Sequence, residues 1–121
     1  MRNEVLYHGA DGDSILGIIG TGTMSPAAGK VFFAKHRWED ALMHGADTRR
    51  RASFVVKVNV AIPEQVVSYQ TATPGVAMTL VVETIEPLRT EVLELYVRKP
   101  TAGGFDVHHI VGTQAIKSFL L

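Results

Sequence analysis

The segment "SFVVKVNVAI", residues 53–62, constrains this chain more than any other. Phe54, Val56, Val58 and Val60 alternate with a face that carries Lys57 and Asn59. Period-two alternation sends successive side chains to opposite faces of an extended strand. The segment therefore needs a sheet with one face packed and the other wetter. Shorter stretches repeat the signal. "NEVLYH" (3–8) reads as a strand with Val5 and Tyr7 on one face and Leu6 and His8 on the other. "VFFA" (31–34) is a brief buried strand, and "FDVHHIVG" reads as a strand near the end. "VVSYQ" and "AMTLVVE" are two more, separated by the turn "TATPG".

Helical spacing occupies the gaps. In "DSILGIIGTG", Ile15, Ile18 and Ile19 form an i, i+3, i+4 stripe, Asp13 or Ser14 supplies a cap, and Gly20 and Gly22 end the helix. "HRWEDALMHG" places Trp38, Ala41 and Leu42 inward and stops at Gly45. "EPLRTEVLELYVRKP" fits both periods. Leu88, Val92, Leu95 and Tyr96 follow helical spacing with Glu91, Glu94 and Arg98 opposite, and the helix is preferred to a strand over Val92–Val97. The expected fold is α+β, with short helices near the N-terminus and strands after them.

At 121 residues the chain is most economically one domain spanning 1–121. Twelve basic residues balance twelve acidic ones, so no global charge steers it to nucleic acid or membrane. The chain contains no cysteine, so disulfides and thiolate ligands are excluded. "MRNEVLYHG" lacks the apolar stretch of a signal peptide, and no run reaches the roughly 18–20 apolar residues of a membrane span. A soluble protein is expected.

Several motifs fail on spacing. "GIIGTG" has the dinucleotide fingerprint's spacings in the wrong order and reads as a helix C-cap. His36 and His44 are eight apart where helical ligands sit four apart, and His108 and His109, adjacent on a strand, face opposite ways. No metal site is expected. Arg49–Arg51 reads as a solvated basic loop, with a phosphate-contacting patch as the minority reading.

The order of "YHG", "GKVFFA", a helix containing "EDA" and "FVVKVNV" resembles the ADP-ribosyltransferase superfamily, in its diphtheria-toxin and poly(ADP-ribose) polymerase branch. That branch carries a His-Tyr-acid trio. Its ending "FDVHHIVGTQAIKSFLL" also resembles small bacterial ADP-ribosyltransferase-like domains at the tips of polymorphic toxins. The resemblance implies a split, strongly curved β-sheet core with NAD⁺ as substrate in the cleft between its halves. It implies a glycosyltransferase-class enzyme, a bacterial toxin effector that moves ADP-ribose from NAD⁺ to a protein or nucleic-acid acceptor. The domain would then be the C-terminal toxin module of a longer protein, acting in a target cell's cytoplasm and blocked by a cognate immunity protein, with no membrane partner.

The resemblance assigns roles residue by residue. His8 would hydrogen-bond a ribose hydroxyl, and Gly9, with no Cβ, would let its backbone approach the nicotinamide carboxamide. Phe32 falls at the tyrosine position and would lie beneath the cationic nicotinamide, a contact worth about 0.5–2 kcal/mol. Met43 and Trp38 stand where the family carries an aromatic residue and a serine. The catalytic acid, which stabilises the oxocarbenium-like ribose carbon, falls on Asp106 by counting back from the C-terminal segment, with Glu91 as its rival if "EVLELYV" is the catalytic strand. Three other readings share these residues: an NAD⁺ glycohydrolase, a module that binds NAD⁺ or ADP-ribose without turnover, and an RNA 2′-phosphotransferase-like enzyme using Arg49–Arg51. Taken singly, His8, Phe32 and Asp106 are ordinary structural residues. Their joint order carries the functional reading.

Overall fold

The structure, a computed structural model, describes residues 1–73 and 76–121, with side chains described outside 67 and 69–78. Along the chain run β1 (Arg2–Gly9), α1 (Gly12–Thr21), β2 (Thr23–Met24), β3 (Lys30–Ala34), a 3-10 helix (Trp38–His44) and β4 (Ala46–Asp47). They are followed by β5 (Ala52–Ile62), β6 (Val67–Thr73), β7 (Val76–Glu83), β8 (Leu88–Thr101), β9 (Gly104–Val111) and α2 (Thr113–Leu120). The strands form one antiparallel sheet, strongly curled into a half-barrel, in the order β2-β8-β5-β1-β3-β7-β6. β4 adds to β5, and β9 adds to β8. Pro74 and Gly75 of the expected "TATPG" turn lie outside the described residues.

β5 is the spine. It pairs with β1 from Val55 to Ile62 and with β8 from Ser53 to Val60. Phe54, Val56, Val58 and Val60 are all buried on the concave face, as their alternation requires. Leu6 and Phe33 join them there, and Ile15 and Ile18 of α1 and Ile116 and Leu120 of α2 close the concavity. On the convex face the 3-10 helix packs Ala41 against Ala34 and Val55, with Trp38 and Leu42 beside Tyr7 and Tyr96.

α1 is capped two residues before Asp13 and three before Ser14, the caps its stripe suggested. Asp11 is the N-cap, accepting from the Ser14 amide at 2.8 Å, and Gly22 ends the helix in the left-handed region at φ 71°. The C-terminal segment forms a true helix, α2, so helices are not confined to the N-terminal half.

Residues 88–101 form a strand, not a helix. Leu88, Thr90 and Val92 point inward, then Leu95 and Val97 do. Lys57 pairs with Glu94 while Val58 pairs with Val92, which leaves Leu93 as an extra residue in a bulge. The bulge turns a two-residue step into the three-residue step from Val92 to Leu95. Period two interrupted in this way imitates i, i+3 spacing.

Candidate functional site

β1 and β3 share a single residue pair, Tyr7 with Ala34. At the tip of β1 a cleft of about 530 Å³ opens between the strand end and α1. Its wall includes His8, Gly9, Asp11, Ser14, Thr21 and His44. That volume lies within the roughly 300–1,000 Å³ of small-molecule sites.

His8 is held from one side. Its Nδ1–H donates to the Phe32 carbonyl oxygen at 2.9 Å, and its ring lies 5.6 Å from that of Phe33. Burial pushes the imidazole pKa below its ordinary 6.5, against the raising effect of the Phe32 carbonyl and with a further push from His44. The ring is therefore neutral at pH 7. With the proton on Nδ1, Nε2 keeps its lone pair and can accept from a hydroxyl.

Gly9 has a packing reason to be glycine. A Cβ there would enter the carbonyl oxygen of Ala41 and crowd the Gly45 amide at 2.9 Å, so the 3-10 helix closes directly onto the strand backbone. Phe32 turns to the opposite face of β3 from Phe33, as alternation demands. Its ring is 42% exposed and stacks on His44 at 6.0 Å and 17°, which places it one ring away from the cleft wall.

Neither candidate acid lines the cleft. Asp106 is exposed on β9 opposite Lys99, near the β8–β9 turn. Glu91 is exposed on β8 opposite Asn59 and lines a different cleft, with Asn3, Asn59, Arg89 and Thr23. The preference for Asp106 depended on a helix at Glu91, and β8 removes that ground. The two clefts share the wall at Thr21 and Thr23.

The basic loop is largely committed to structure. Arg50 Nη1 donates to Asp47 Oδ2 at 2.9 Å and Arg50 Nη2 to Asp13 at 3.0 Å and to the Leu120 carbonyl at 3.1 Å. Arg49 also donates to Asp13, at 2.8 Å. Asp47 Oδ2 accepts from the Gly12 amide at 2.8 Å, so with Asp11 on the Ser14 amide, carboxylates of the chain itself occupy these amides of the α1 N-terminus.

A second cluster, which no motif announced, sits on the convex face. Trp38 stacks on Tyr96 at 5.1 Å, and Tyr96 stacks on His109 at 4.5 Å. Glu94 accepts from His109 Nε2 and pairs with Lys57 Nζ at 3.2 Å. The His109 hydrogen bond, with Lys57, holds the Glu94 carboxyl below its usual range despite partial burial. These residues come from β5, β8, β9 and the 3-10 helix. Only the pairing of strands brings them together.

Compared with models of protein families, with curated proteins and with solved structures, the chain shows no match. Among the described residues, no helix is long and apolar enough to cross a membrane.

Proposed function

We propose that the chain is an NAD⁺-dependent ADP-ribosyltransferase of the kind it resembles, taking NAD⁺ into the cleft at His8. One observation carries the reading: a neutral His8, fixed through Nδ1 to the Phe32 carbonyl, lines a nucleotide-sized cleft beside Gly9 at the strand tip. A ribose hydroxyl would donate to His8 Nε2. In the reaction the ribose–nicotinamide C–N bond breaks, its electron pair leaves with nicotinamide, and an acceptor nucleophile bonds to the ribose carbon and loses its proton. The acceptor is a protein or nucleic acid. The toxin setting and an immunity protein covering the cleft belong to the same proposal.

The position of the acids favours a second reading, binding of NAD⁺ or ADP-ribose without turnover, because neither Asp106 nor Glu91 lines the cleft. Purified protein incubated with NAD⁺, alone and with cell lysate, separates them. Nicotinamide release that needs lysate and comes with label transfer supports the transferase, and release without lysate indicates a glycohydrolase. Calorimetric binding with no release in either case leaves the binding module. Neither binding nor release would discard the NAD⁺ reading. Asp106→Ala and Glu91→Ala, assayed alongside, show which carboxylate turnover requires.

A further inference from the structure

β9 is one edge of the sheet: among the described residues it pairs with β8 alone, in a continuous register from Gly104 to Val111. Natural sheets blunt such edges with lysine, proline, a bulge or a very short strand. β9 is eight residues long, "GFDVHHIV", with no lysine or proline and no register break. Its convex face carries an exposed apolar row, Phe105 at 59%, Val107 at 54% and Val111 at 65%, interrupted only by His109.

The hydrogen-bond pattern fixes which backbone groups this edge offers. The Gly112 amide donates to the Leu93 carbonyl at 3.0 Å, which continues the register that sets Val111 opposite Glu94. In an antiparallel ladder every second residue turns its N–H and C=O to the same neighbour. Ile110, His108 and Asp106 therefore bond to β8, while Phe105, Val107, His109 and Val111 present theirs to the free edge. The open amides belong to the same residues as the apolar row.

We infer that β9 pairs with β9 of a second copy of this chain, antiparallel about a two-fold axis through His108, joining two sheets into one. An axis perpendicular to the sheet keeps the convex faces on one side, and the register about His108 matches this edge to itself. Phe105 meets Val111 of the second copy and Val107 meets His109, and each such pair exchanges two hydrogen bonds. On the concave side Asp106 lies diagonal to His108 of the second copy, an acid beside an imidazole, and the two Asp106 carboxylates stay more than about 13 Å apart. An edge strand alone buries less than a standard interface, so the dimer is reversible and concentration-dependent.

The absence of cysteine makes the register directly testable. His108 meets itself across the axis as a non-hydrogen-bonded pair, with Cα atoms about 4.5 Å apart, inside the range for a disulfide. Under mild oxidation His108→Cys should form a disulfide-linked dimer, whereas Asp106→Cys should not. In sedimentation, the unmodified protein should associate with rising concentration. Val107→Pro removes a donor that faces only the free edge, and Val107→Lys places charge in the apolar row. Both should sediment as monomers with an unchanged far-ultraviolet spectrum. A wild-type protein that stays monomeric at high concentration, equal cross-linking of the two cysteine variants, or dimers that persist in both Val107 variants would each overturn the inference.

Discussion

His8 Nδ1 donates to the carbonyl oxygen of Phe32 across 2.9 Å, tying the tip of β1 to β3 just past the one residue pair the two strands share. Burial depresses the pKa of this imidazole. In the unfolded chain it titrates near 6.5, so between that value and the lower folded pKa the unfolded state holds more protons. This contribution to stability is complete above pH 6.5 and is lost as pH falls through the window. Chemical denaturation at several pH values should show a steeper loss for wild type than for His8→Gln below pH 6.5. Parallel curves would show that His8 titrates as a solvated residue. If the cleft binds NAD⁺ through Nε2, His8→Ala should also weaken binding about tenfold, the scale of one hydrogen bond.

Gly9 and Gly17 make opposite predictions for the same substitution. Gly9→Ala drives a Cβ into the Ala41 carbonyl, and backbone cannot swing aside as a side chain can. Overpacking of this kind costs about 1–3 kcal/mol or more, so Tm should fall sharply. Gly17, inside α1, has open space where its Cβ would be. Gly17→Ala should raise stability by about 0.5–1 kcal/mol, because alanine gives up less conformational entropy in a helix. Thermal melts of the two variants on one plate check both signs.

Asp47 joins three elements through the Gly12 amide and the Arg50 amide and guanidinium, and Arg50 reaches on to the last turn of α2. Burial raises its carboxyl pKa, but those donors more than offset burial and the pKa ends lower than usual. The stability it contributes is present above about pH 3.8 and is lost as pH falls through the lower folded value. Asp47→Ala leaves the buried Gly12 amide without its acceptor, while Arg50 keeps Asp13 and the Leu120 carbonyl, so the expected loss is that of one unsatisfied buried donor, about 1–3 kcal/mol. Urea titration at pH 7 should show a large drop in midpoint, and the difference from wild type should shrink in acid.

Trp38 is the chain's one tryptophan and lies flat on Tyr96. Its emission therefore reports docking of the 3-10 helix on the sheet. Tyr96→Ala removes the middle ring between Trp38 and His109 and should shift emission to the red. The stacking itself is worth about 0.5–1.5 kcal/mol per aromatic pair beyond area, so a fall in Tm should accompany the shift. Unchanged emission would mean that Trp38 is held by Ala41 and Leu42 rather than by the stack.

Local chemistry made part of this protein legible in advance. The alternation of Phe54 to Val60 located β5 and its buried face, the split between Leu6 and Tyr7 oriented β1, and Gly22 marked the end of α1. Each depends on periods and caps that span a few residues, and those are written in neighbouring side chains. His8 and Gly9 at a strand tip were legible for the same reason.

The tertiary structure decided the rest. β8 looked helical because a bulge at Leu93 changes the parity of its inward residues, and a bulge becomes visible only against the partner strand. The sites depend equally on pairing between distant segments. Phe32 reaches His8 through its carbonyl while its ring turns to His44, and Asp106 and Glu91 are carried to β9 and β8, on the far side of β5 from β1. Periodicity fixes which way a side chain faces along its own strand. Which residues meet is set by strand order, register and curl, and those follow from packing the whole core at once.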